Sequence, residues 1–85
     1  MGAVPPNHAP RRAEVKFQDP ARQQIRKLTA AQTGALDRAI VAISMYPDFG
    51  TPQGPFRDYR DDLENVRVLY LVRNPHLIVV YYVEA

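Results

Sequence analysis

The feature that most restricts the fold is the uninterrupted apolar run at residues 77–83, near the carboxyl end of the sequence. Alternate residues of a strand point to opposite faces, and in this run both faces are apolar. We therefore expect this strand to be central in a sheet. The run is far shorter than the ~18 residues that cross a bilayer, so no membrane partner is expected.

Three further segments read as strands. Residues 66–72 are rich in Val, Leu and Tyr and are joined to the apolar run by an Asn74-Pro75 turn, while residues 56–60 form a weaker candidate. Residues 13–17 alternate apolar and charged side chains, which is typical of a strand with one buried face.

Two helices are predicted between the first and second strands. Asp19 precedes Pro20 and reads as an N-cap, and the apolar stripe that follows consists of Ala21, Ile25 and Leu28. Thr29 and Gln32 have the spacing of a capping box, so a second helix begins there. Its apolar positions are Leu36, Ala39, Ile40 and Ile43, and Pro47 ends it.

The element order is therefore β-α-α-β-β-β, an α+β fold in which a small antiparallel sheet packs on a helical hairpin. Residues 47–55 contain three prolines and two glycines and are expected to form a loop without regular structure. Residues 1–12 are rich in proline and poor in large apolar side chains, so we expect a flexible tail before a single domain at residues 13–85.

The 85 residues include no cysteine, which excludes disulfides, thiolate metal sites and a cysteine nucleophile and suits a reducing cytoplasm. No recognised catalytic motif is present, and neither a cofactor nor a bound metal is expected. The acidic residues between positions 58 and 64 alternate with arginines, which favours a rim of ion pairs over a cation site.

Nine of the eleven basic residues are arginines, although the net charge is only +2. Arginine binds phosphate through a planar fork and stacks on bases, so this bias is compatible with a nucleic-acid partner; genomic composition explains it equally well. Basic and aromatic residues concentrate in two adjacent strands, at Arg57, Tyr59, Arg60, Arg67, Tyr70 and Arg73. Arg67 either points at a phosphate or forms a structural ion pair with Glu64 or Asp62, and the pattern alone leaves both open.

Several short motifs, in this order, resemble the RelE/ParE toxin superfamily. They are the Ala21-Ile25-Leu28 helix, the Ile40-x-x-Ile43 helix, Pro47-x-x-Gly50, and Val66-Arg67-Val68-Leu69-Tyr70, which is similar to the family's Tyr-Arg-Val-Ile-Tyr strand. The resemblance covers residues 14–85 and implies a toxin of a type II toxin–antitoxin pair, with a cognate antitoxin as partner.

The RelE branch of this family cleaves mRNA on the ribosome without a metal, whereas the ParE branch inhibits DNA gyrase. By position, Arg67 matches the strand arginine that contacts the scissile phosphate region, and Arg57 and Arg60 lie near the basic residues of the preceding strand. The resemblance thus implies an mRNA endonuclease with Arg67, Arg60 and Arg57 as catalytic residues. Substrate-binding candidates are Tyr59, Arg73, His76 and Tyr82.

The sequence departs from the nuclease pattern after the last strand. Nucleases of the family generally carry an Arg or a His-Tyr pair there, where this sequence has Val83-Glu84-Ala85. Tyr81, Tyr82 and His76 are possible substitutes for the missing acid, although the apolar strand favours both tyrosines as core residues. A second hypothesis is therefore a non-enzymatic binding module, either a ParE-like gyrase inhibitor or a degenerate relative.

Overall fold

The computed structural model describes residues 12–85, which form one five-stranded sheet and two helices. The strands are β1 (Glu14–Phe17), β2 (Thr51–Gln53), β3 (Phe56–Asp61), β4 (Val66–Asn74) and β5 (Leu77–Glu84). The helices are α1 (Ala21–Ile25) and α2 (Ala30–Met45), and both lie between β1 and β2 in the chain. None of the helices in this part of the chain is long and apolar enough to span a bilayer.

The strand order in the sheet is β1-β5-β4-β3-β2. The predicted α+β fold is confirmed, and β5 lies inside the sheet, as its two apolar faces require. The sheet is mixed and not wholly antiparallel, because β1 runs parallel to β5 with Glu14 opposite Leu77. Parallel strands need a long connection between them, and here the two helices and three further strands connect β1 to β5.

The helices cover one face of the sheet and leave the other face open. Leu36, Ala39 and Ile43 of α2 are buried against the strands. In β4, Val66, Val68 and Tyr70 are buried, whereas Arg67, Leu69 and Leu71 are only partly covered. This alternation shows which face meets the helices, and it places Arg67 on the open face.

The capping box predicted for the second helix is confirmed. The Gln32 N–H donates to Thr29 Oγ1 at 3.1 Å, and the Thr29 N–H donates to Gln32 Oε1 at 2.8 Å. Asp19, by contrast, does not cap the first helix, which begins at Ala21 without a side-chain cap. The backbone carbonyl of Gln18 accepts from the Arg22 N–H instead, so no side-chain acceptor is needed there.

Residues 47–55 are more ordered than the sequence suggested. Pro47–Phe49 form a 3₁₀ turn, and β2 follows it at the edge of the sheet, paired with β3. Proline is tolerated in an edge strand because its missing N–H removes no ladder bond, and Pro52 occupies such a position. The expectation of a loop without regular structure was therefore wrong.

A buried tyrosine fastens this turn to the sheet. The Tyr70 hydroxyl donates to the Pro47 carbonyl at 2.6 Å and accepts from the Gly50 N–H at 2.9 Å. A Cβ on Gly50 would lie 2.8 Å from that hydroxyl and 2.9 Å from Arg57 Cβ, so only glycine fits. The Pro47-x-x-Gly50 motif thus has a structural role, with both ends bound by one side chain.

The tail predicted at residues 1–12 lies outside the described residues except for Arg12. The Arg12 Nε donates to Ser44 Oγ at 3.0 Å, and the next residue, Ala13, donates its N–H to the Ser44 carbonyl. Arg12 therefore contacts the folded domain. The boundary between tail and domain stays a prediction.

Candidate functional site

The candidate site lies on the open face, where β3, β4 and β5 run side by side. Arg60 of β3 is directly opposite Arg67 of β4, which is opposite Glu84 of β5. The next row of the same face contains Asp58, Leu69 and Tyr82. Two arginines directly opposite each other repel, so this arrangement needs a carboxylate close by.

Asp58 supplies that carboxylate, although it is only 4% exposed. Arg67 binds it with a two-pronged contact, from Nε to Oδ1 at 3.0 Å and from Nη2 to Oδ2 at 3.1 Å. Arg60 adds two longer contacts to Oδ2, at 3.3 Å from Nε and 3.2 Å from Nη2. We call Asp58, Arg60, Arg67 and Glu84 the Asp58 cluster.

Hydrogen bonds set the protonation state of this cluster. Those from Arg67 lower the pKa of Asp58, and the bonds from Arg60 act in the same direction against the effect of burial. The same contact with Asp58 raises the pKa of Arg67, to which Glu84 also contributes. Asp58 is consequently a carboxylate at neutral pH, with its oxygens occupied by guanidinium donors.

The outer side of Arg67 contacts the last strand. Its Nη1 lies 3.3 Å from Glu84 Oε1, and its guanidinium carbon is 5.8 Å from the centre of the Tyr82 ring. The distance to Tyr82 is within the range of a cation–π contact. Asp58 thus binds Arg67 on its buried side. Glu84, whose side chain is 52% exposed, binds Arg67 at the surface.

Two clefts adjoin the cluster, and Arg60 lines both. The arginine cleft, of about 190 Å³, is lined by Arg60, Asp61, Asp62, Asn65, Val66, Arg67 and Glu84. The aromatic cleft, of about 310 Å³, is lined by Phe49, Thr51, Gln53, Asp58, Tyr59 and Arg60. Arg60 therefore lies between a cleft lined by charged side chains of both signs and a cleft that contains two aromatic rings.

Of the residues predicted from the sequence, the structure brings Arg60, Arg67 and Tyr82 together. Arg57 and Tyr59 lie on the opposite face of β3, because alternate residues of a strand point in opposite directions. Arg57 donates to the Gly50 carbonyl at 2.7 Å and forms an ion pair with Asp48 at 3.6 Å, so it holds the turn before β2. Tyr59 packs against the core and borders the aromatic cleft.

Arg73 and His76 are at the far end of the sheet. Arg73 is six residues along β4 from Arg67, which is about 20 Å at the rise of a strand. His76 is exposed in the β4–β5 turn, where its N–H donates to Asn74 Oδ1 at 2.8 Å. Neither residue belongs to the Asp58 cluster.

Sequence reasoning expected ion pairs between the arginines and the acidic residues from position 58 to 64, but it did not place Asp58 or Glu84 against Arg67, and Asp58 is buried and not part of a solvated rim. The partners proposed for Arg67 were Glu64 and Asp62, but Glu64 instead binds Arg38 through both carboxylate oxygens. Asp58 and Arg60 have the i, i+2 spacing that puts two strand residues on one face, and this was the available signal. The strand register that brings Arg67 next to Asp58 and Arg60 could not be predicted from the sequence.

The arrangement suits the binding of an anion at fixed guanidinium groups. All three guanidinium nitrogens of Arg67 have a carboxylate partner, which is Asp58 for Nε and Nη2 and Glu84 for Nη1, so an anion reaches Arg67 in competition with the exposed Glu84. The side chain of Arg60 is more open, at 61% exposed. Within residues 12–85 no three His, Asp or Glu side chains are placed to hold a metal ion. The groups beside Arg67 that can carry a proton are the Tyr82 hydroxyl and the Glu84 carboxylate.

Comparison with known proteins identifies the fold. No family model matches the sequence, and no curated protein matches it. The toxin–antitoxin complex RelBE2 from Mycobacterium tuberculosis contains a similar chain, with a TM-score of 0.75 and 22% identity over 86% of this chain and 90% of that one.

Two E. coli structures are similar at 18% identity. The intact RelBE toxin–antitoxin complex has a TM-score of 0.71 over 84% of this chain and 93% of that chain. A mutant of the RelE toxin in the free state, in which two arginines are replaced by alanine, has a TM-score of 0.70 over 85% and 81%. These likenesses show that the chain has the RelE fold, as the sequence motifs predicted.

Proposed function

We propose that this protein is the toxin of a type II toxin–antitoxin pair and cleaves mRNA on the ribosome. The observation that carries the proposal is the Arg60–Arg67 pair, held on the open face of a RelE fold by the buried carboxylate of Asp58. Fixed guanidiniums on an exposed sheet suit a phosphodiester, because their donors match its oxygens.

The proposed chemistry uses electrostatic stabilisation by this chain's own side chains. Attack of a ribose 2′-hydroxyl on the neighbouring phosphate forms a 2′,3′-cyclic phosphate and breaks the bond to the 5′-oxygen of the next nucleotide; the 2′ proton passes to water, and water supplies a proton to the leaving 5′-oxygen. Negative charge builds on the phosphate oxygens during this step, and in this proposal Arg67 and Arg60 stabilise it. Asp58 acts as a positioning residue and not as a base, since its pKa is lowered and its oxygens accept bonds from both arginines. Arg57 faces away and has a structural role in this proposal.

The proposed protein partner is a cognate antitoxin, since two of the similar structures are toxin–antitoxin complexes. We expect an amphipathic segment of an acidic antitoxin to bind on the helical hairpin or near Arg57, Arg60 and Arg67. An acidic segment would compete with RNA for the guanidiniums of the Asp58 cluster, which accounts for neutralisation by direct blocking. The proposed place of action is the cytoplasm, where the ribosome and mRNA are found.

Inducible expression in a bacterial host tests the proposed activity. Expression of the wild-type chain should arrest translation and create new 5′ ends in cellular mRNA, as read by primer extension. Arg67→Ala should abolish these ends, while Arg73→Ala, at the far end of the same strand, should leave them unchanged. Arg67→Lys should also lose most cleavage, because a lysine cannot form the two-pronged contact with Asp58 that positions the cation. Wild-type expression without new 5′ ends would refute the nuclease.

One observation favours a second candidate, a non-enzymatic module such as a gyrase inhibitor. In the Asp58 cluster two carboxylates balance two guanidiniums, so the site carries little net positive charge for binding RNA. If this candidate is correct, expression should induce DNA-damage signalling while translation continues. Translation arrest without DNA damage would exclude gyrase as the target.

A further inference from the structure

We infer that the aromatic cleft is a binding site for one unstacked nucleobase of single-stranded RNA. The inference rests on the proposed function, in that it assigns the base next to the phosphate held by Arg60 and Arg67. A volume of about 310 Å³ is at the small end of ligand sites, which fits one base and not a folded segment. Arg60 lines both clefts, so a single strand can enter both at once.

The aromatic side chains of this region form a row. The rings of Tyr46 and Phe49 are 4.9 Å apart with an angle of 23° between their planes, and Phe49 and Tyr59 are 6.4 Å apart at 13°. Tyr46 and Phe49 are 54% and 55% exposed, so both rings can be reached from solvent. The two exposed rings, continued by the half-buried ring of Tyr59, form a nearly parallel platform on which a base can stack.

The polar lining favours a base over an apolar side chain of a protein partner. Thr51 and Gln53 belong to the exposed edge strand β2, and an amide side chain both donates to and accepts from a Watson–Crick edge. The oxygens of Asp58 already accept from Arg60 and Arg67, so Thr51 and Gln53 supply the uncharged polar groups that would select a base. Only three residues of β2 pair with β3, which leaves the cleft accessible from the sheet edge.

A fluorescent base analogue tests the site directly. The probe is a short RNA with 2′-O-methyl sugars, which prevent cleavage, and with 2-aminopurine in place of one base, whose fluorescence falls when it stacks. The wild-type protein should quench this probe. Phe49→Ala should remove most of the quenching and weaken binding about tenfold or more, the loss expected for one stacked base.

Matched variants separate stacking from general loss of apolar surface. Leu63→Ala removes an almost fully exposed apolar side chain in the β3–β4 turn, outside the cleft, and should behave like the wild type. Phe49→Tyr should keep the quenching because it keeps the ring. If Phe49→Ala melts early, Phe49→Leu replaces it, since leucine keeps apolar volume without a ring. Equal quenching by the wild type and the folded variant without a ring would overturn the inference.

The base site and the nuclease fail in different ways. Arg67→Ala should lose mRNA cleavage but still quench the probe at saturating protein. Quenching by a wild-type protein that cuts no mRNA would refute the proposed function and support the base site. Cleavage by a wild-type protein that does not quench the probe would refute the base site alone.

Discussion

At the scale of single residues, Asp58 determines the geometry of the candidate site. It is buried on the open face, and its oxygens fix both Arg60 and Arg67. Without it, two opposed guanidiniums would repel each other and move apart into solvent. Rigid placement of the cations is what an electrostatic role in catalysis requires, because mobile charges must reorganise during the reaction.

The lowered pKa of Asp58 predicts a loss of stability in acid. Its ordinary value is 3.8, so the stabilisation is complete above about pH 4 and is lost as the pH falls through the lower value of the folded state. Asp58→Asn should lower the free energy of unfolding by about 1–3 kcal/mol at pH 7. Urea unfolding from pH 7 to pH 3 should show this difference shrinking toward the acid end.

The control is Glu64→Gln, whose carboxylate also has a lowered pKa but pairs with Arg38 in an exposed position. Its effect should be much smaller, because solvent screens an exposed ion pair. A difference between Asp58→Asn and the wild type that stayed constant from pH 7 to pH 3 would contradict the assignment of Asp58 as a native carboxylate.

Glu84 is expected to compete with RNA for Arg67. Its exposed carboxylate lies 3.3 Å from Arg67 Nη1, so an incoming phosphate must displace it. Glu84→Gln should tighten binding of a 2′-O-methyl RNA by up to about fivefold, the effect of one exposed ion pair. Fluorescence anisotropy measures the change, and Glu64→Gln again serves as control. Weaker binding by Glu84→Gln would show that Glu84 helps to hold the RNA.

At the scale of elements, the connection from α2 to β3 is where sequence reasoning was least accurate. The second helix, the interior strand β5 and the buried face of β4 follow from periodicity and capping, which are local signals. The first helix is shorter than its apolar stripe predicted and lacks the expected cap. The edge strand β2 carries no such signal, because Thr51, Pro52 and Gln53 are all exposed. Its pairing depends on the distant Tyr70, which lies in another strand.

Only part of the candidate site was predicted, because it too depends on contacts between residues that are distant in the sequence. The arginines could be found because they interrupt apolar strands, but their partners depend on strand register. Asp58 joins Arg67 only because β3 and β4 pair Arg60 with Arg67, and the turn between the strands sets that register. The parallel pairing of β1 with β5 was likewise unreadable from the first strand alone.

The contact between Tyr70 and the turn before β2 predicts a specific loss. Tyr70→Phe keeps the ring but removes the hydroxyl that joins Pro47 to Gly50, which leaves polar backbone groups unpaired. The free energy of unfolding should fall by about 1–3 kcal/mol in urea titrations. Tyr82→Phe, on the partly exposed open face, should cost much less. Equal losses in both variants would show that the hydroxyl of Tyr70 does not fasten the turn.

At the scale of the whole molecule, the fold is shared with RelE chains at only 18–22% identity. At this level of identity we expect the chains to share the pattern of buried positions more than the residues themselves, because different apolar residues can fill a core equally well. The described domain is small, and domains of this size bury a modest fraction of their surface. A protein partner that covers further apolar surface is therefore expected to raise its stability.

The proposed antitoxin should raise the melting temperature of the purified chain. A partner that binds only the native state adds about 2.7 kcal/mol at a concentration about one hundred times its dissociation constant. Differential scanning fluorimetry with the product of the adjacent gene measures the shift, and an unrelated acidic protein of similar size is the control. A melting curve unchanged by the adjacent gene product would contradict the pairing.

The parallel pairing of β1 with β5 has a consequence for how the chain is made. Glu14 and Leu77 become neighbours only after the intervening helices and strands have been synthesised. Until then β1 has no partner in the sheet, and joining ends so far apart carries a loop-closure cost that local helix formation does not. We expect the helices and the β3–β4 hairpin to form early during translation, and the first strand to take its place last.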